Sequence, residues 1–484
     1  MKMRSFAYGG GLLFAWLVLA TAVPAPAAAR ADDGPGIDDL GVVRNDTLLV
    51  TRHAVIEAAL AHNEMLAASG AMTDAAGADA LSAWAGYLPR LSVGAYRIRT
   101  DDALYGFGFK LNRRSATQAD FSAPPMPGAP APAPFGDALN YPGVSENNIT
   151  QIKLLQPVFN GGMSLYGKRA ANAMSRAAEH EHRRAAQTVR LHAVQAYEGL
   201  VLAGAYEEVL LSALASADGH LRQARAMYDN EMVTEADLLQ AQVYRAGVEQ
   251  RLIEVRNMSA VAGEHIKLLT ALDTDLPLAP REDDTRPAAD VHVPWSDDRP
   301  DVAASREKAR AAANMAKATR GRLLPHLNLA AEKNWFHGDT FLGDEADSWT
   351  FGIYATWDVF SSLENVGALK KARAESRAAA HMSDFWSRQA RAEAVQAVLP
   401  QVRQAFALHG PHSSLDLQFD EVVDWAWAPT RLARAVLDSM YNWGELIVHH
   451  KVNSRKVYDL ASRHLPAELL AAPDPNATTE QYQD

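Results

Sequence analysis

The pattern of apolar and polar positions changes period several times along the chain, and the changes come in a repeated order. Residues 54–84 and 301–323 are helix-like, and each ends at a proline, Pro89 and Pro325, where the pre-proline restriction favours extended backbone. Residues 349–360 alternate with period two. Trp349, Phe351, Ile353, Ala355, Trp357 and Val359 fall on one face, and Thr350, Gly352, Tyr354, Thr356 and Asp358 on the other. An aromatic-ended alternation of this kind suits a barrel strand facing lipid; an edge strand packed on a soluble core is the plainer alternative. Residues 91–99 and 151–159 read as weaker strands. Residues 164–229 then form a helix-like run with no proline, roughly 100 Å long if straight at 1.5 Å per residue. Such lengths belong to coiled-coil or α-barrel designs more than to compact domains. A turn at 228–234 follows. Thr234 and Asp237 start the returning helix as a capping box, with Asp in place of the stronger Glu, and that helix runs to about Leu272.

The repeated order is a duplication. Leu88-Pro89-Arg90-Leu91 recurs as Leu324-Pro325-His326-Leu327, an offset of 236 (325 minus 89). Pro157-Val158-Phe159-Asn160 has its counterpart in Trp357-Asp358-Val359-Phe360, with Val158 and Val359 offset by 201 (359 minus 158). The helices that follow keep the second offset: Ala173, Arg176, Ala177 and Ala178 match Ala374, Arg377, Ala378 and Ala379, and Val194-Gln195-Ala196 matches Val395-Gln396-Ala397. The shrinkage places about 35 extra residues in the first copy, where the Pro/Ala-rich run 123–136 reads as a flexible loop. A Pro/Asp-rich connector, 273–298, separates the copies.

Composition narrows the setting. The chain of 484 residues is 48% hydrophobic and 22% charged, enough to fold, with a net charge of −11 that argues against a nucleic-acid binder. It has no cysteine, which excludes disulfides, thiolate metal sites and thiol nucleophiles. Lys2 and Arg4, the apolar run 11–23 and small-residue cleavage sites near Ala29 and Ala31 read as an export signal over residues 1–31; a membrane anchor is the alternative. No later segment has 18 consecutive apolar residues.

Pro89 and Pro325 at the helix-to-strand corners, Gln156-Pro157-Val158-Phe159-Asn160-Gly161-Gly162 after the second strand, Ala224, Tyr228, Asp237-Leu238-Leu239 and Ala241 across the hairpin tip, and Arg299-Pro300-Asp301-Val302 at the entry to the second copy together resemble the TolC-like outer-membrane efflux family. The resemblance covers residues 38–397. It implies homotrimers in which each subunit gives four strands to a shared twelve-stranded barrel and long helices to a periplasmic tunnel. It also implies a passive exit duct docked to a periplasmic adaptor and an inner-membrane pump, in contact with outer-membrane lipid. Carried onto this chain, the docking tip is Tyr228, Asn230, Glu231, Val233, Thr234, Asp237 and Leu238, and the structural corners are Pro89, Pro325, Pro157, Gly161 and Gly162. The family has Gly where this chain has Glu231, so Asn230 is the expected holder of the left-handed turn position.

After Ala397 the second copy departs from the first. Leu399-Pro400 is expected to interrupt the helix. A short helix over 402–408, a turn and new helix start at 410–417, an irregular stretch at 425–429, a helix at 431–443 and strands at 444–448 and 456–460 follow. Helix, turn, helix, helix, wing is a winged-helix order. Asn442-Trp443-Gly444-Glu445-Leu446-Ile447-Val448 and Arg455-Lys456-Val457-Tyr458-Asp459-Leu460-Ala461-Ser462-Arg463-His464-Leu465-Pro466 resemble the winged-helix family of crosslink-repair DNA glycosylases, over about residues 401–475. That family's catalytic motif lies outside this fragment, so no catalytic residue is carried over. Residues 401–466 hold seven Lys/Arg and seven Asp/Glu, which gives little attraction to phosphates, and an exported chain meets no DNA for Lys451, Arg455 and Lys456 to touch. The junction reads as a fusion or a truncated reading frame, and the first hairpin's apolar seam is left without its partner.

No catalytic, cofactor or metal site is expected. His180-Glu181-His182 lacks the i, i+4 spacing of a helical zinc pair, and His449-His450, adjacent on a strand, should point to opposite faces. The fold class is therefore mainly α with a small β part: long-helix α-barrel or coiled-coil hairpins plus β-barrel strands from two tandem repeats, with a C-terminal winged-helix-like fragment. The expected domains are signal 1–31, repeat 38–272, linker 273–298, truncated repeat 299–397, winged-helix-like fragment 398–470 and disordered tail 471–484. The leading function is an outer-membrane exit duct, not an enzyme, located in the outer membrane and periplasm. The alternatives are a DNA-binding or repair protein whose tail is the active part, and a periplasmic coiled-coil scaffold without a barrel.

Overall fold

The computed structural model describes residues 35–117, 120, 140, 141, 143–281, 299–424, 429–466 and 468. The signal at 1–31, the loop at 123–136 and the tail at 471–484 lie outside the described residues, as do 282–298 of the connector and 425–428 of the irregular stretch. In chain order the elements are α1 (Ile37–Leu40), β1 (Gly41–Arg44), β2 (Thr47–Val50), α2 (Arg52–His62), α3 (Glu64–Ser82), β3 (Arg90–Thr100), α4 (Ala103–Asn112), β4 (Ser145–Asn160), α5 (Met163–Asp229), α6 (Glu235–Thr270), β5 (Leu278–Pro280), α7 (Pro300–Arg320), β6 (His326–His337), β7 (Ala346–Thr356), α8 (Glu364–His409), β8 (Val422–Asp424), β9 (Pro429–Arg431), α9 (Leu432–Asn442), β10 (Leu446–Val452), β11 (Arg455–Leu460) and α10 (Ala461–His464).

The chain divides into two compact units, Met1–Gly70 with His182–Ala289, and Ala71–Glu181 with Asp290–Asp484. In the first, the α5–α6 hairpin packs on α2 and a small sheet of order β1-β2-β5. Its core gathers Leu48, Val50, Val55, Ala193, Leu200 and Ile266. The β1–β2 turn puts Asn45 and Asp46 at φ 50 and 56, a left-handed pair that a two-residue hairpin demands. The predicted helix 54–84 is broken: α2 ends at His62, and Asn63 turns the chain. The Asn63 amide donates to the Leu269 carbonyl (3.1 Å), and its Oδ1 accepts from Leu66 N (3.1 Å), capping α3. The predicted linker also contains structure, since β5 pairs parallel with β2.

In the second unit, β3, β4, β6 and β7 form one antiparallel sheet in that order. The largest core cluster lies at its C-terminal end. Val302 of α7, Ala390, Ala394, Val395, Val398, Val402 and Phe406 of α8, Leu432, Val436 and Met440 of α9, and Leu446 and Tyr458 of the wing pack together. The predicted break at Leu399-Pro400 is absent: α8 runs through Pro400. Pro400 sits on the exposed side, so the carbonyl left without a donor one turn earlier meets water, while Val398, Leu399 and Val402 anchor the other side. The helix start expected at 410–417 is also absent. Ser413 to Asp416 is a turn tied by the Asp416 carboxylate, which accepts from Ser413 N and Oγ (both 2.6 Å), and His412 bridges to Tyr458 instead. The helix–turn–helix step of the expected winged-helix order is replaced by the short β8–β9 ladder, while α9 and the β10–β11 wing are present.

Candidate functional site: an open sheet, its corners and a hairpin tip

Register assigns each face of the four-stranded sheet. Residues that pair directly share a face, so one face carries the rows Leu91, Leu154, Ala331, Phe351 and Val93, Ile152, Lys333, Trp349, with Leu329 and Ile353 below. Those apolar side chains are open: Trp349 is 75% exposed, Ile353 65% and Phe351 61%. The other face is polar in the same rows, with Ser92, Lys153, Glu332, Thr350 and Gly94, Gln151, Asn334, Ser348. Glu332 Oε1 there accepts from Gln151 Nε2 and from Asn334 Nδ2, each at 2.7 Å. The apolar rows end in ion pairs, Arg97 with Glu146 (2.7 Å) and Lys333 with Asp347. Among the described residues β3 and β7 each pair on one side only, so both outer edges present free backbone donors and acceptors. The last predicted strand is displaced: β7 covers Ala346–Thr356, and Trp357, Val359 and Phe360 lie beyond it, with Trp357 Nε1 donating to the Leu323 carbonyl (3.2 Å).

That last bond belongs to a set of contacts that follow the two offsets seen in the sequence. Gln156 Nε2 donates to the Tyr87 carbonyl (2.9 Å), and Trp357 Nε1 to that of Leu323; 156 plus 201 is 357, and 87 plus 236 is 323. Ser164 Oγ donates to the Gly86 carbonyl (2.9 Å) and Asn365 Nδ2 to that of Arg322 (3.5 Å), again displaced by 201 and 236. Gly161 and Gly162 have φ of 64 and 83, and their equivalents Ser362 and Leu363 have 48 and 70. Gly161 is needed twice over, because a Cβ there would stand 2.5 Å from the Gly321 carbonyl oxygen. Pro89 and Pro325 sit just before β3 and β6 as expected. Pro157 lies inside β4 at a bulge between Pro157 and Phe159, the one kind of interior strand position that does without an N–H.

The tip residues Tyr228, Asn230, Glu231, Val233, Thr234, Asp237 and Leu238 come together in the α5–α6 connection. Met232 N donates to the Met227 carbonyl (2.8 Å) and Glu231 N to that of Tyr228 (2.9 Å), a Schellman closure. Contrary to expectation Glu231, at φ 59, holds the left-handed position, and Asn230 instead donates from Nδ2 to the Ala226 carbonyl (2.6 Å). The capping box is complete: Thr234 N and Oγ1 donate to Asp237 Oδ2 (2.9 and 2.6 Å). The Thr234 hydroxyl and backbone amide hold the Asp237 carboxyl below its ordinary range. Along the hairpin Leu202, Tyr206, Val209, Val243, Val261 and Leu268 are exposed, Leu268 by 76%. Among the described residues α5 also holds a stretch of mean hydropathy 1.4, long and apolar enough to cross a bilayer by length and composition, only 22% buried.

At the wing, the expectation for His449 and His450 fails for a local reason. Val448 pairs with Tyr458 and His450 with Val457, so His449 is an inserted bulge residue and strict alternation is lost. The two imidazoles meet, Nδ1 to Nδ1 at 2.8 Å. Beside them Asp459, 3% exposed, accepts from Arg463 Nη1 (3.1 Å) and faces His464 Nε2 (2.7 Å). Burial alone would raise the Asp459 pKa, but His464, the Leu460 amide and Arg463 outweigh it and hold the carboxyl below its ordinary value.

These geometries find parallels in two directions. A family model, DNA glycosylase AlkZ-like, matches residues 352–483. No curated protein matches the chain. Among solved structures the chain is similar to the outer membrane protein VceC of Vibrio cholerae (TM-score 0.54, 18% identity, covering 74% of this chain and 82% of that one). It is similar also to the CmeC outer membrane channel of Campylobacter jejuni (0.57, 17%, 81% and 80%). A membrane protein from Pseudomonas aeruginosa gives 0.59 at 18% identity, covering 87% of this chain and 89% of that one. The chain thus has the TolC-like outer-membrane channel fold, and its C-terminal residues carry the AlkZ-like match.

Proposed function

We propose that the protein is a subunit of an outer-membrane exit duct, closed by association of three copies into a shared barrel. The observation that carries this reading is the sheet with one apolar face, one polar face and two free edges. A single chain of four strands cannot satisfy those edges or hide that apolar face. Further copies joined β7 to β3 would do both, turning the apolar rows to lipid and Glu332, Gln151 and Asn334 to an aqueous lumen. The exposed stripe on the α5–α6 hairpin supports a tunnel wall completed by neighbours, and the tip from Tyr228 to Leu238 would meet a periplasmic adaptor coupled to an inner-membrane pump. Such a duct is passive and needs no catalytic residue or cofactor. Outer-membrane fractionation with a heat-sensitive trimer on denaturing gels, and conductance in planar bilayers, test the proposal; a soluble monomer would sink it.

A second reading follows from the AlkZ-like match: a nucleic-acid-directed C-terminal module attached to a duct fragment. Its balanced charge over 401–466 speaks against it. Salt-sensitive binding of the full chain to duplex DNA, lost on replacing Arg455 and Lys456, would favour this reading over the first.

A further inference from the structure

We propose that His449 and His450 chelate a divalent transition-metal cation of tetragonal preference, Cu(II) above all, with His464 as a third imidazole. The bulge at His449 places two Nδ1 atoms 2.8 Å apart on an exposed wing. For metal–nitrogen bonds of 2.0–2.1 Å, that separation subtends about 85° at an ion lying beside the pair. This is close to the right angle between neighbouring ligands of a square plane and well short of a tetrahedral angle. A separation of 2.8 Å is that of an N–H···N hydrogen bond, in which one ring carries its proton on Nδ1 and the other accepts. When an ion enters, the donor ring moves that proton to Nε2, so both Nδ1 lone pairs turn to the metal and no net charge is lost.

His464 is placed to complete the set. Its ring centroid is 5.3 Å from that of His449, and its Nε2 is held by the buried Asp459 carboxylate, leaving Nδ1 for the ion. A carboxylate behind a histidine is the usual outer support of a metal-bound imidazole, because it fixes the ring and raises its basicity. The nearby Arg463 is occupied by Asp459 and by the Ala407 carbonyl (3.0 Å), so its charge is spoken for. Among the described residues no three such side chains are already set to hold an ion. The structure therefore supplies two nitrogens already side by side, and a shift of the exposed His449–His450 bulge toward His464 Nδ1, with the Asp459 contact kept, adds the third ligand.

The test is titration of the detergent-solubilised full chain with Cu(II), followed by electron paramagnetic resonance and calorimetry, with Zn(II) as comparison. One equivalent should bind with nitrogen hyperfine structure, and more tightly than Zn(II). H449Q and H450Q, both at exposed positions, should each weaken that site at least tenfold with an unchanged melting curve, and H464Q should weaken it about tenfold. Three results would each overturn the proposal: no Cu(II) bound by the wild-type chain, the same signal in the H449Q/H450Q double variant, or a histidine-dependent site that prefers Zn(II).

Discussion

The two copies share a chassis and differ in how they finish. Each has a helix, a proline corner, a strand pair and a left-handed pair of residues opening a long helix, tied by equivalent side-chain-to-backbone bonds. The first copy then runs into a 67-residue helix whose outer stripe is uncovered. The second stops at 46 residues and folds into a module with its own dense core. Leu437, Val436, Leu432 and Met440 are at most 1% exposed there, while Val209 and Leu202 on the first hairpin are more than half exposed. One end buries its apolar side chains within its own fold, and the other leaves them open.

Phe406→Ala should give the largest effect. Phe406 is fully buried where α8, α9 and the wing converge, and its loss should cost about 3–5 kcal/mol. Denaturant unfolding read at Trp443 checks this; a loss below about 1 kcal/mol would mean the module is not the tight half of the comparison. Gly161→Ala should cost about 3 kcal/mol, since it combines a positive φ with a backbone clash. If the copies are equivalent only in outline, Leu363→Gly, at the matching left-handed site, should stabilise by about 1 kcal/mol, as should Glu231→Gly at the tip. Thermal melts of both variants decide whether the strain is real. The smallest effect is acid sensitivity of the wing. The Asp459 carboxyl is held below 3.8, so its contribution is full above that value and is lost as pH falls through the lowered pKa. Amide exchange of β11 across that range should show loosening that Asp459→Asn removes.

Much of this was legible in the sequence because long patterns average over local accidents. The absence of proline from 164 to 229 points to α5, and the two sequence offsets recur in the equivalent side-chain-to-backbone bonds. What escaped was short or decided by partners. β1 and β2 have four residues each, too few for a period to show, although Asn45-Asp46 between apolar runs is a hairpin signal. The break at Asn63 depends on a carbonyl 206 residues away. Pro400 ordinarily interrupts a helix, but burial of Val398, Leu399 and Val402 on the opposite side overrides one missing hydrogen bond. The end of β7 was set by Trp357 turning to bond Leu323, not by its alternation. At the wing a single inserted residue reversed the inference about the histidine pair. The residues Tyr228 to Leu238 do lie together in one turn, yet Glu231 and not Asn230 takes the left-handed position, since a Schellman turn fixes that position by hydrogen-bond count and not by side-chain preference.

The unpaired margins of β3 and β7 carry a consequence for the life of the molecule before assembly. An isolated copy is sticky along two eleven-residue ribbons, so its survival is a race between finding like copies and adhering to whatever else presents a strand. In the proposed duct its apparent robustness should rise with concentration, because further copies satisfy those edges. In the proposed duct, overproduction that outruns the meeting of like copies should end in precipitates grown from those open edges.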